Sequence, residues 1–300
     1  RGDCFGVHGI ARELAAAGLG ELKEPDTAPL PATFDTSRTV RLDFPEDALD
    51  ACPVFVLREI RGVENGASPA WLQERLSAVG LRPISALVDV TNWSTVDMGR
   101  PLHVFDADKV QGGLCLRLSE AGEEFLGLDG KTYTLDAGMT VICDDSGIVS
   151  LAGIMGGEGT GCDETTTNVL LEVAVFDEVR TARTGRTLGI DSDARTRFER
   201  GLDLGFVLPA AEWATRMILS LTGGEPGSVQ VAGEVPDRRV RIPFDKRELT
   251  RLTGLALDDV DVMRVLVDLG FEVASEGEGR FELATPPWRH DCARPADVVE

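Results

Sequence analysis

The sequence predicts an α+β fold, and three observations carry that reading. Apolar residues recur at three-to-four-residue spacing in several segments, with start and stop signals at their ends. Between residues 114 and 151 the pattern changes to short apolar runs separated by glycine-containing turns, which reads as strands. After residue 235 the composition shifts to two short helices and a hairpin, so a mixed helix-and-sheet unit is followed by a smaller one.

In order, residues 1–24 read as a loop and one amphipathic helix. Ile10, Leu14 and Ala17 fall on one face, and Gly18 and Gly20 end it. Residues 25–37, with Pro25, Pro29 and Pro31, form a linker. Val40 to Phe44 and Val54 to Gly62 are strand candidates. Ser68-Pro69 opens a helix that runs through Trp71, Leu72 and Leu76 to Gly80. A second helix follows Ser85, whose hydroxyl can accept an amide of the first turn; Gly99 and Pro101 force its exit. Strands are expected at Leu114 to Leu118, Tyr133, Val141 to Cys143 and Ile148 to Leu151. Gly127–Gly130 and Asp144–Gly147 are their hairpin turns. Val169 to Phe176 is a strand, residues 178–189 and 204–222 are helices, and Val229 to Val235 is a further strand. Helices over Asp245 to Thr253 and Asp258 to Leu269 precede a hairpin at Phe271 and Phe281.

Composition sets limits. The 43% apolar fraction is that of a globular chain long enough for two or three cores. A net charge of −21, from 51 acidic and 30 basic residues, argues against strong non-specific binding to nucleic acid, which depends on neutralising phosphates. Six scattered cysteines with no Cys-x-x-Cys pair, and three distant histidines, offer no zinc spacing and suggest idle thiols. No apolar run approaches the roughly 18 residues of a membrane span, and no signal-peptide pattern is present. Arg1-Gly-Asp3 as an adhesion motif is disfavoured in a chain without such a signal.

Three stretches carry candidate chemistry. On the helix after Ser85, Thr91 and Asn92 form a polar pair, and the tight exit returns His103 beside it; together they suggest one wall of a pocket. Leu151–Gly161 is glycine-rich but lacks both the Gly-Lys-Ser/Thr of a phosphate loop and the Gly-x-Gly-x-x-Gly of a dinucleotide fingerprint. Its glycines suit a pocket floor at Ala152 and Gly153, because a backbone without side chains admits a ligand closely. Glu172 lies inside an apolar strand, so it is either on an edge facing water or recruited to a site.

These stretches resemble the bacterial phenylalanyl-tRNA synthetase beta subunit family. The resemblance rests on Asp89-Val-Thr-Asn92, Gly99-x-Pro-Leu-His-x-Phe-Asp106, Leu151-Ala-Gly-Ile-Met-Gly-Gly157 and Ser192-x-Ala194-x-x-Arg-Phe-Glu-Arg-Gly201. It extends to Arg1-x-Asp-Cys4 with Gly9-Ile-Ala-Arg-Glu-Leu-Ala15, and to Pro286-Pro-Trp-Arg-His-Asp291 with Arg294 to Glu300. It covers essentially the whole chain in family order. It implies a fragment: residues 1–37 closing a first module plus linker, 38–236 an editing module, and 237–300 a truncated fifth module of helix-and-wing type.

The resemblance implies a subunit that, with ATP and an alpha subunit in an alpha2beta2 heterotetramer, attaches phenylalanine to tRNA(Phe) in the cytoplasm. This segment would carry the post-transfer site that hydrolyses Tyr-tRNA(Phe). Glu172 would accept the phenol hydroxyl and His103 would bond substrate or terminal adenosine. Thr91 and Asn92 would line the same wall, Ala152 and Gly153 would offer backbone contacts, and Ser192 with Ala194 would close the opposite side. The family often has threonine where Ser192 stands. No nucleophile triad is visible, so a positioned water is the expected attacker. Asp291, Asp297 and Glu300 match the family's magnesium ligands, shared with the alpha subunit, which would itself bind ATP; the alternative is solvated acids at a helix start. Neither membrane nor DNA is an expected partner. The competing functional reading is a tRNA-binding or assembly scaffold with a silent pocket.

Overall fold

Two sheets meet face to face in the middle of the chain. The computed structural model describes residues 1–300, and its runs of strands and runs of helices give an α+β fold. Helix α1 (Val7–Ala16) leads through the linker to β1 (Val40–Asp43) and β2 (Val54–Arg61). Helices α2 (Ala70–Ala78) and α3 (Ala86–Asp97) precede β3 (His103–Asp106). Short strands β4 (Leu114–Leu118), β5 (Glu124–Leu126), β6 (Thr132–Thr134), β7 (Thr140–Asp144), β8 (Gly147–Leu151) and β9 (Met155–Gly156) follow. Then come β10 (Asn168–Val175), α4 (Glu178–Leu188), α5 (Asp193–Phe198), α6 (Val207–Thr222) and β11 (Glu225–Gly233).

One sheet has the order β11-β2-β10-β3, antiparallel throughout. Its inner strands β2 and β10 are almost wholly buried because both of their faces are covered. Alternation sends Val54, Val56, Ile60, Val169, Leu171 and Val173 to one face, against α3 and α6. Phe55, Leu57, Leu170 and Ala174 point to the other, where they meet Leu114, Leu116, Ile142 and Val149 of the second sheet, ordered β1-β4-β7-β8-β9. Glu172 is on this second face, opposite His103. Because β10 is an inner strand, the water-facing-edge reading of Glu172 does not apply.

Two buried arginines lock this frame. Arg58, 1% exposed, pairs with Glu212 at 2.8 Å and donates to the carbonyls of Gly227 and Leu30. The proline-rich linker is therefore strapped to β2 and α6. Arg100 donates to the carbonyls of Ala174 and Asp203, fixing the exit of α3 against β10, and burial lowers its pKa to about 10.

A separate apolar cluster is built from residues 242–299. The strands β12 (Arg241–Asp245), β14 (Arg280–Ala284) and β13 (Glu272–Gly277) pair in that order, packed with α7 (Arg247–Thr253), α8 (Asp259–Asp268) and α9 (Pro295–Val299). It touches the larger unit where the His290 ring meets the Leu202 carbonyl at 2.6 Å, and where Arg12 lies over the Trp288 ring.

The structure departs from the sequence reading at several points. Strand β12 was not expected; Pro243 argues against a strand, but β12 is an edge strand, where a missing amide is tolerated. Ile10 and Leu14, marked by periodicity for burial, are each 48% exposed, and α1 packs instead through glycines. A Cβ on Gly9 would meet the Asp3 carbonyl oxygen, and one on Gly6 would meet the Gly99 backbone. Ser85 occupies the N-cap position of α3, yet its buried hydroxyl has no partner; Asp89 accepts the Ile84 amide and the Ser68 hydroxyl instead. Ser68 does not cap α2, which begins at Ala70 with Pro69 before it. The segment Leu204–Thr222 is long and apolar enough on average to pass for a membrane span. It is a core helix, with Val207, Ala210, Ala214 and Ile218 buried.

Candidate active site

Where β3 begins beside β10, the two sheets and α3 surround a cavity of about 410 Å³. Gly99, at φ +66°, turns the chain out of α3 so that Pro101, Leu102 and His103 return along its flank. Thr91 and Asn92 face the cavity from the helix, His103 and Glu172 from the paired strands, Gly153 from the glycine-rich turn, and Ser192 and Ala194 from the start of α5. Seven of the eight residues expected at a pocket thus line one cavity.

Ala152 does not. It is 2% exposed and packed in the apolar core between the sheets, and its amide donates to the Thr140 carbonyl at 3.1 Å. Its neighbour Gly153 turns at φ +69°, with Phe176 and Phe198 so close that a Cβ would strike both rings. That turn swings Ala152 behind the wall, which the bare glycine pattern could not reveal.

The electrostatics centre on one cross-strand pair. Oε2 of Glu172 and Nε2 of His103 are both buried, and neither has a hydrogen-bond partner in the protein. Burial pushes the Glu172 carboxyl up to about 8, so it is largely protonated at neutral pH and can donate as well as accept. Burial also pulls His103 down to about 4, keeping its imidazole neutral. The ring stands edge-on to Phe105, and on its other side a Cβ at Gly156 would collide with it. Only glycine at 156 leaves the imidazole room.

Other polar groups of the wall are engaged locally. The Ser192 hydroxyl donates to the Ile154 carbonyl at 2.8 Å and accepts the Arg195 amide, so it caps α5 while forming the rim. Thr91 donates to the Val88 carbonyl. Cys162, Leu128, Met155, Gly156 and Asp193 also line the cavity and were missed. Of these, Met155 and Gly156 lay in the glycine-rich run, but nothing local pointed to Leu128 or Cys162. Burial lifts the Cys162 thiol to about 12, and it donates to the Val104 carbonyl, so it is not a thiolate nucleophile. The cavity therefore presents a neutral acid and a neutral imidazole within a lining that mixes apolar side chains with polar ones such as Thr91, Asn92 and Ser192.

The acids expected to hold magnesium are not gathered into a cation site. Asp291 pairs with Arg289 at 2.7 Å. Asp297 accepts the amides of Ala293 and Arg294 and pairs with the Arg294 side chain, which fixes the start of α9. No group of three or more His, Cys, Asp or Glu side chains is arranged to hold a metal ion, Glu300 included. With Asp291 and Asp297 committed to guanidinium and amide partners, the residues present do not fit the ion.

A family model described as the B3/4 domain matches residues 51–223, and one described as the tRNA synthetase B5 domain matches residues 242–300. Over its whole length the chain is 53% identical to the phenylalanine-tRNA ligase beta subunit of Paramagnetospirillum magneticum and 52% identical to that of Nitrobacter winogradskyi. It spans 38% and 36% of the length of those two relatives. A solved N-terminal fragment of the phenylalanyl-tRNA synthetase beta-subunit from Pyrococcus horikoshii aligns with all of the chain and 82% of its own. The identity there is 18% and the TM-score 0.48. The B3/4 match covers more than half of the chain and is followed in order by the B5 match, and on that ground the chain belongs to the B3/4 domain family, the arrangement it shares with the similar beta subunits.

Proposed function

We propose that the cavity is a post-transfer editing site, which hydrolyses the ester joining tyrosine to the terminal ribose of mischarged tRNA(Phe). The observation that carries this reading is the orphaned, buried Oε2 of Glu172. An apolar synthetic pocket rejects an isostere carrying one added hydroxyl only about 10²-fold, so tyrosine passes where phenylalanine is selected. A second pocket can invert that preference with a buried polar group that only a phenol satisfies. Phenylalanine would leave the group unpaired at a cost of roughly 1–3 kcal/mol.

Protonated Glu172 suits this task. Its neutral form tolerates burial and offers both an O–H and a carbonyl oxygen to the phenol. His103, neutral beside it, bonds substrate or the terminal adenosine through Nε2. A base with so low a pKa is a poor proton acceptor, which favours a water positioned with help from substrate hydroxyls as the attacker. Thr91, Asn92, Gly153, Ser192 and Ala194 shape the walls, and a cavity of about 410 Å³ falls within the ordinary range for small-molecule sites.

In the whole protein this segment would act as part of the beta subunit. With the alpha subunit, ATP and magnesium, the assembly would attach phenylalanine to tRNA(Phe). On this reading residues 38–236 form the editing unit and 237–300 the B5-type unit. The test is Glu172→Ala: hydrolysis of Tyr-tRNA(Phe) should fall and the preference over Phe-tRNA(Phe) should narrow. Unchanged discrimination would remove Glu172 from its role.

A further inference from the structure

Helix α4 carries Arg180, Arg183 and Arg186 at a spacing of three residues, which sets them along one side of the helix surface. Arg180 is half-buried and the other two are exposed. None lies within ion-pair distance of a carboxylate, although basic side chains elsewhere are mostly neutralised that way. The neighbouring acids are occupied. Asp177 caps α4 by accepting the Arg180 amide, Glu178 pairs with Arg238, Asp193 pairs with Arg197, and Glu199 with Arg195 and Arg200. The exception is Asp136, which shares a cavity wall with Arg180 and Arg183 without forming an ion pair with either. In a chain of net charge −21, a row of uncompensated arginines is the exception.

Two of the three, Arg180 and Arg183, border a second cavity, of about 220 Å³, which Thr184, Thr187 and Asp136 also line. Helix α4 is also connected by a short stretch of chain to the rim of the first cavity. Gly185 packs against the Arg195 side chain of α5, and the chain passes from α4 through Gly189, at φ +66°, straight into Ser192, Asp193 and Ala194 on the active-site rim. The rim residues Ser192 to Ala194 thus follow within a few residues of the last turn of α4, which carries Arg186. Planar guanidiniums at regular intervals match the bidentate geometry of successive phosphate groups.

We propose that Arg180, Arg183 and Arg186 form a track for the phosphodiester backbone of the RNA whose aminoacylated end enters the cavity. The proposal rests on the editing reading for the identity of the RNA, so its test is a binding measurement that does not depend on hydrolysis. Labelled tRNA(Phe) is titrated with the chain and with the triple variant R180Q/R183Q/R186Q over a range of salt concentrations. A triple Arg→Lys variant keeps the charge, and Arg241→Gln removes an unpaired arginine elsewhere. The glutamine triple should weaken binding about 10-fold or more at low salt and flatten the log–log salt slope by about 2, since each phosphate contact to a single strand contributes roughly 0.7. The lysine triple should recover most of the affinity, and Arg241→Gln should leave it within about twofold. An affinity and slope unchanged in the glutamine triple would overturn the track, as would absence of measurable binding by the unaltered chain. Hydrolysis of 3′-O-tyrosyl adenosine by the unaltered chain reports separately on the cavity. Its failure, with the salt effect intact, would count against the editing reading and leave the track standing.

Discussion

Glu172 and His103 stand directly opposite each other on the adjacent antiparallel strands β10 and β3, and each keeps one buried polar atom without a protein partner. Cross-strand neighbours on one face are close enough to share a ligand. Burying two groups this way costs stability, because polar atoms out of water need partners. The pair is therefore arranged for something that arrives from the cavity.

Stability should fall with rising pH between about 6.5 and 8. Glu172 has a folded-state pKa of about 8 against 4.5 for a free carboxyl, so the folded chain holds a proton that the unfolded chain has lost. The stability this confers is complete below 4.5 and disappears as pH rises through 8. His103 works in the opposite sense: its pKa of about 4 against 6.5 means that stability is lost as pH falls through that window. Above 6.5 the Glu172 contribution acts alone within this pair, with a slope of about 1.4 kcal/mol per pH unit. Denaturant midpoints measured at pH 6.5, 7.5 and 8.5 would reveal it. In Glu172→Gln the same slope should vanish.

Gly153→Ala should damage both fold and site. Its φ of +69° strains any L side chain, and the added methyl would press on Phe176 and Phe198. A loss of roughly 2–4 kcal/mol is expected from strain and overpacking together. Thermal melts check it, and an unaltered midpoint would show that the turn can relax.

Arg58→Ala should destabilise by roughly 3–5 kcal/mol, because it strands Glu212 and two carbonyl acceptors away from water. Proteolysis should then begin in the linker, which loses the bond from Arg58 to the Leu30 carbonyl. Cleavage sites read by mass spectrometry would decide this; attack elsewhere first would contradict the strap.

Much of this was legible in the residues. The left-handed exit at Gly99, the hairpin turns at 127–130 and 144–147, and the helix ended by Gly189 all follow from local chemistry. So does the gathering of Thr91, Asn92 and His103, since a helix, a tight turn and a returning strand are neighbours in sequence. What local rules missed depended on distant partners. Ser85 is well placed to cap α3, but Asp89 reaches the Ile84 amide. Ile10 and Leu14 have helical periodicity, but glycines decide which side of α1 packs. Ala152 shares its glycine-rich context with Gly153, and only the direction of one turn separates core from cavity. The acids near the C-terminal end match a ligand pattern in sequence, but local rules could not show that in this chain Asp291 pairs with Arg289 and Asp297 accepts the Arg294 amide.

The central claim is that the Glu172 cavity distinguishes a phenol from a phenyl ring. The most direct measurement is the pair of deacylation rates of Tyr-tRNA(Phe) and Phe-tRNA(Phe) by the chain, with and without Glu172→Ala. Selective loss of tyrosine, at least about tenfold faster than phenylalanine as one phenol hydrogen bond at a buried site would give, and collapse of that ratio in the variant are the predicted results. Equal rates for the two esters, or a ratio untouched by the substitution, would contradict it.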